Sequence, residues 1–447
     1  MASVPEVPRR LRALVDSCFE ESLYDAGLNV LDNLRTKDAK PAPQHIRQLL
    51  YLALHPPDIP TRNQYKKPIV RSKILSRNTS VDVPRPANPS QATIDRAMDL
   101  LFYLLSTNQA SDLLNAIPSY DRTLRDDSMD SSGNSLGYHA ARISSAKHCW
   151  EILSPGFAQS YGKDAIYNNT QLVAEHAWGV LEWLILAFEK EQSLCGKSRS
   201  LASQLPPCST GPRTMMDIPL GIAFVAFDWF LDLRKLTIGG RLIALMISLT
   251  KETPPALSAE RLASETARRL RAKSSQTVSA FLSALNEPSF EMALCCIYLS
   301  QYGQCTIMQS SSNTSVSKPR EDTTISHNKK SNAYTIPSAD TILAILRSDA
   351  SIEELDDNGE DDEGSESILI ISAEEQALKH AMMKVQLLKA ISQLKLVDTD
   401  ISWKKAFTNG QLRENVLLGM RYERVSDEAR TAALCAALAH VDSFCKS

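Results

Sequence analysis

Apolar residues recur every three to four positions along most of the chain, the spacing of one face of an α-helix. Leu11, Leu14, Val15, Cys18 and Phe19 follow this period behind Pro8. Leu23, Val30, Leu31 and Leu34 form a second stripe. Pro43 opens a third helix carrying Ile46, Leu49, Leu50 and Ala53, and Pro56-Pro57 closes it, since proline can start a helix but not continue one. Residues 58–89 read as a loop. Ser90 then supplies a cap for a helix with Ile94, Ala97, Met98, Leu101 and Leu105 on one face. A further helix is expected at 109–117, and a polar connector at 118–137.

The segment 138–305 is the most apolar. Its periodicity predicts helices near 139–153, 163–190, 216–233, 239–250, 258–273, 275–285 and 288–302. Trp178, Trp183, Phe188, Phe224, Phe227, Trp229 and Phe230 are expected to form the main core, because aromatic side chains bury the most area per residue. Further helices are predicted at 339–348, 373–396, 410–420 and 426–445. Ser372 followed by Glu375 has the spacing of a capping box. No pair of alternating runs flanks a hairpin turn, and no fixed repeat is evident.

The predicted fold class is therefore all-α: an irregular multi-helix array, solenoid-like or bundled, in two or three lobes. The expected boundaries are an N-terminal lobe at 1–117, a central aromatic-rich lobe at 138–305, and a mostly disordered Ser/Thr-rich and acidic linker at 306–367. C-terminal helices at 368–447 are expected to pack on the central lobe.

Composition changes this picture little. Of 447 residues, 43% are hydrophobic and 23% charged, with a formal net charge of −3. No global field draws the chain to nucleic acid or anionic lipid. The nine cysteines form no CxxC pair, which predicts free thiols in a reducing compartment. No secretory signal opens the chain. Leu172–Phe188 and Ile218–Phe227 are apolar, but one is interrupted by Glu175, His176 and Glu182 and the other is short. Both read as buried helices, with no membrane partner.

Catalytic signatures are missing from the sequence, so no enzyme, no cofactor and no metal site is expected. Gly196-Lys197-Ser198 ends like a phosphate loop, yet Glu191 stands where the first glycine belongs. Glu354, Asp356, Asn358 and Gly359 imitate a calcium loop, but Ser365 replaces the bidentate glutamate. The eight histidines do not fall at metal-ligand spacing. His148 and Cys149 are adjacent, and adjacent residues on a helix point about 100° apart.

Two kinds of segment point to partners. Lys66, Lys67, Arg71 and Lys73 form one basic cluster, and Arg268, Arg269, Arg271 and Lys273 another. The second sits where cations complement a helix C-terminus. Both could contact nucleic acid, and the first suits an import signal in extended chain. The sharper segment is Asp361, Asp362 and Glu363, then Ser365 and Ser367, then Ile368, Leu369, Ile370 and Ile371. Acids and serines before an aliphatic run resemble a SUMO-interacting motif. That resemblance implies strand addition to the edge of a SUMO-like partner, with carboxylates meeting basic residues. The competing expectation is that these aliphatics pack on the protein's own body. The functional expectation is a non-catalytic helical scaffold or adaptor in a multiprotein complex. Its expected location is intracellular, with the nucleus favoured over the cytoplasm. A helical nucleic-acid binder and an enzyme without a linear motif stand as alternatives.

Overall fold

The computed structural model describes residues 7–34, 40–56, 88–121, 136–158, 171–209, 211–302, 334, 336–348, 372–395, 401–408, 410–420 and 425–444. Among these the protein is all-α. In chain order the helices are α1 (Arg9–Glu20), α2 (Tyr24–Asn33), α3 (Pro43–Ala53), α4 (Gln91–Thr107), α5 (Ala110–Leu114), α6 (Leu136–Ser145), α7 (Trp178–Cys195), α8 (Arg199–Ala202) and α9 (Asp217–Asp228). There follow α10 (Leu233–Lys251), α11 (Ala259–Arg271), α12 (Ser275–Ala284), α13 (Pro288–Tyr302), α14 (Ala339–Arg347) and α15 (Ala373–Leu394). The last three are α16 (Ile401–Thr408), α17 (Gln411–Gly419) and α18 (Asp427–Phe444). Parallel pairing is confined to an isolated bridge between Arg213 and Leu257. No helix among the described residues is long and apolar enough to cross a membrane.

The chain divides into two compact units: Met1–Ser209 with Asp217–Ile222, and Thr210–Met216 with Ala223–Ser447. The boundary falls inside the segment 138–305.

In the first unit, α3 is buried along nearly its whole length, from His45 to Leu54. Its Tyr51 hydroxyl donates to the Ala158 carbonyl at 3.1 Å. Helix α7 carries Trp178, Val180, Leu181, Trp183, Leu184, Ile185, Ala187 and Phe188 into the interior. The Trp183 indole N–H donates to the Leu101 carbonyl at 2.9 Å, fixing α7 against α4. Lys190 stretches its ammonium to the carbonyls of Leu105, Ser106 and Asn108 at 2.5, 3.3 and 2.8 Å. Those carbonyls belong to the C-terminal end of α4, where helix geometry leaves acceptors unmatched.

In the second unit, α15 is the central helix, packed against α13, α12 and α18. Ser372 caps it by accepting the Glu375 amide at 3.1 Å. The expected reciprocal half of a capping box is replaced: Glu375 turns outward and accepts the Ser275 amide at 2.8 Å, tying α15 to the start of α12. Lys379 donates to the Arg271 and Lys273 carbonyls at 2.7 and 2.9 Å, closing the C-terminal end of α11. Lys384, fully buried, donates to the Ser348 carbonyl and to the Gly419 carbonyl at 2.6 Å. Gln386 donates to buried Glu291 of α13 at 2.5 Å.

Several expected helices end early, each for a local reason. The predicted helix 139–153 stops at Ser145 and resumes as one tight turn at Glu151–Leu153. There the Gln204 side chain takes the Cys149 amide at 2.7 Å, and the Glu151 amide, shared between the His148 ring and carbonyl at 3.2 Å, closes only a tight turn. Among the described residues, the helix predicted at 163–190 begins at Trp178 and runs to Cys195, where Gly196 adopts φ 65. The predicted helix 216–233 ends at Asp228. Asp232 accepts the Lys235 amide at 3.1 Å and starts α10 six residues before the expected 239. The short helices α8 and α16 were not anticipated.

Candidate functional site

The segment 361–371 and the basic cluster Lys66, Lys67, Arg71 and Lys73 lie outside the described residues. The other basic cluster is described, and three of its four cations meet carboxylates, while Arg268 and Arg271 are exposed. Arg268 binds Glu265 through two bonds of 2.8 and 2.5 Å, and Arg269 adds a third at 3.0 Å. The Arg268 hydrogen bonds, with Arg269 behind them, hold the Glu265 carboxyl below its ordinary range despite burial. Lys273 reaches Asp228 at 2.6 Å. The Arg271 guanidinium lies 4.6 Å from the centre of the Tyr302 ring. This cluster is first of all the charged end of α11, matched to its helix dipole and to two carboxylates.

The phosphate-loop imitation resolves in the same way. Glu191 accepts both the amide and the hydroxyl of Ser200, at 3.0 and 2.8 Å, so the carboxylate organises α8. His148 and Cys149 have separate partners, as described above. Burial pushes the Cys149 and Cys295 thiols well above their ordinary value and the Cys296 thiol up to about 12. Thiols so raised stay protonated and make poor nucleophiles. Among the described residues, no three His, Cys, Asp or Glu side chains are grouped to hold a metal ion.

One feature stands outside ordinary structural accounting: the turn between α9 and α10. The sequence reading placed Trp229 and Phe230 in the core, and the structure corrects this. Trp229 is 53% exposed, Phe230 41%, Leu231 89% and Leu233 77%. Helix α9 ends with the Trp229 amide on the Ala226 carbonyl at 3.3 Å, and the Asp232 amide closes back on the Trp229 carbonyl at 2.8 Å. Below this turn the true core resumes. Phe224 stacks on Phe281 at 5.4 Å between centroids, and Phe227 meets the same ring edge-on at 5.3 Å.

The turn is firmly held at its base. Asp228 accepts from the Thr277 hydroxyl at 3.2 Å and from Lys273 at 2.6 Å. The Lys235 ammonium sits 4.0 Å from the centre of the Trp229 ring. A cation there is attracted to the ring face, and it orients the indole without covering its other face. The result is a rigid base that presents four large apolar side chains to solvent. Scattered apolar residues on a surface need no account, but a contiguous group does, because each represents unrecovered burial energy of roughly 1.5–3 kcal/mol.

The sequence did carry a signal for this turn. Asp228 and Asp232 flank Trp229-Phe230-Leu231, and an aspartate three residues before the first helical turn closes is a cap. Helical periodicity spoke against that reading because the same apolar residues also fit an extended α9. No protein-family model, curated protein or solved structure matches the chain.

Proposed function

We propose that this protein is a non-catalytic helical scaffold or adaptor that docks partner proteins. The observation that carries the reading is the exposed apolar turn Trp229–Leu233 on its pinned base. Large aromatic and aliphatic side chains on a pre-organised support are the usual anchors of protein interfaces, since little entropy is lost on ordering them. The segment 361–371 supplies a second docking element by its sequence, a SUMO-type peptide using Ile368, Ile370 and Ile371. The cluster Lys66, Lys67, Arg71 and Lys73, read as an import signal, supports a nuclear location for the complex. The pairing of Arg268 and Arg269 with Glu265 and of Lys273 with Asp228 weighs against a nucleic-acid reading of this cluster.

The test is recovery of partners by the full chain from its native cells, followed by reconstitution with each recovered protein in pure form. The double variant Leu231→Asp, Leu233→Asp should lose direct partners at least tenfold while its melting curve is unchanged. Retention of every reconstituted partner would remove the turn from the function. Binding of pure SUMO that survives Ile368→Ala, Ile370→Ala and Ile371→Ala together would remove the peptide. A fluorescent fusion that stays nuclear after the four basic residues become Ala would remove the import role.

A further inference from the structure

The exposed turn and the aliphatic run 368–371 belong to the same unit, and the fold brings the end of one close to the other. Residue 371 is joined directly to Ser372, the cap of α15. From there a continuous path of contacts leads to the turn. Glu375 holds the Ser275 amide at 2.8 Å, Thr277 of the same first turn of α12 donates to Asp228 at 3.2 Å, and Trp229 follows Asp228 in the chain. Lys379, one turn further along α15, grips the carbonyls of Arg271 and Lys273, and Lys273 also binds Asp228. The start of α15, the basic end of α11 and the base of the apolar turn are therefore one neighbourhood.

Chain length narrows the choice of occupant. Residues 349–371 join Ser348, the C-cap of α14, whose carbonyl receives Lys384 of α15, to Ser372, the cap of α15. At about 1.5 Å per helical residue Lys384 and Ser372 lie roughly 18 Å apart along the helix. Ile368–Ile371 is one to four residues from Ser372. Four extended residues span only about 13 Å, which limits how far the run can reach from Ser372. Preceding it are Asp361, Asp362, Glu363 and Glu366. The short tether thus keeps an apolar run of the sequence within reach of an exposed apolar turn. A tether this short gives an effective concentration in the millimolar range, above that of any cellular partner.

We propose that Ile368–Ile371 is the resident occupant of the turn Trp229–Leu233, docking in cis. A partner that takes either element must displace the other, so both docking elements are released together. The inference shares the turn with the proposed function but requires no partner. It can therefore fail while partner binding stands, and the reverse.

The experiment is hydrogen–deuterium exchange on the full chain alone, at a concentration where light scattering reports a monomer. In the wild-type protein, amides 368–371 should be protected. In Leu231→Asp, Leu233→Asp they should exchange about tenfold faster, the loss expected when a docking equilibrium of tenfold is removed. The conservative pair Leu231→Ile, Leu233→Ile should restore protection, which separates docking from misfolding. In Ile368→Asp, Ile370→Asp the turn 229–233 should in return exchange faster, with α13 and α15 unchanged. Unchanged exchange at 368–371 in Leu231→Asp, Leu233→Asp would overturn the proposal. So would protection that appears only as the mass doubles, which would make a second copy the occupant.

Discussion

Lys190 in the first unit and Lys384 in the second perform the same task in different surroundings. Each carries its ammonium to carbonyls at the C-terminal ends of neighbouring helices, where helix geometry leaves acceptors unmatched. Lys190 closes α4 and remains partly in contact with water. Lys384 closes both α14 and α17, and water does not reach it. Tertiary capping by lysine is therefore a device of both units, and burial sets its energetic weight. At the surface, water replaces a lost ammonium. In the interior, two carbonyls are left with nothing.

The largest expected effect tests the space around the buried lysine. A Cβ at Gly419 would lie 1.8 Å from the Leu346 carbonyl oxygen and 2.9 Å from the Lys384 ammonium. Neither can retreat without breaking the seam, so Gly419→Ala should cost more than about 3 kcal/mol in urea unfolding. Next, Lys384→Met removes the ammonium and keeps the volume. It should cost about 3 kcal/mol, the range for stranding buried polar partners. A loss under 1 kcal/mol would show that the carbonyls find other donors and would dissolve the comparison.

A pH titration sharpens the same contrast. Burial, reinforced by the nearby Lys384 charge, pushes His380 down to about 3. The folded chain keeps this ring neutral, while the unfolded chain protonates it near pH 6.5. Below that pH the unfolded state binds the extra proton, so stability falls as pH drops from about 6.5 towards 3. Between pH 7 and 5 the loss should be about 2 kcal/mol, and His380→Leu should flatten that part of the curve. Burial lowers His139 and His176 as well, with the same sign. A curve for His380→Leu as steep as the wild type would move the effect to those rings. Lys190→Met, the partner of the opening comparison, should cost only about 1 kcal/mol. The smallest effect belongs to Leu231→Ser, which should change stability by less than about 0.5 kcal/mol, because this side chain is 89% exposed.

These effects divide along what a sequence can express. The helical period alone located α1, α3, α4 and α11–α15, because each has a buried face several turns long and most begin at a recognisable cap. Ser90 and Ser372 were legible for that reason. Break points inside apolar runs were not. The period through Phe224, Phe227 and Phe230 continues smoothly, and only the hydrogen bonds of Asp228 and Asp232 end one helix and begin the next. Buried Lys379, His380 and Lys384 were equally hidden. On a helix wheel they read as a solvated face, whereas the partners of the two lysines are backbone carbonyls from segments far along the chain. Backbone acceptors have no residue signature, so nothing in the amino-acid string announces them.

Helix α9 has a consequence for where the chain can be divided. Its first six residues, Asp217–Ile222, belong with the first unit, and its remainder belongs with the second. A chain cut between residues 209 and 217 would therefore part the first unit from six residues that it contacts.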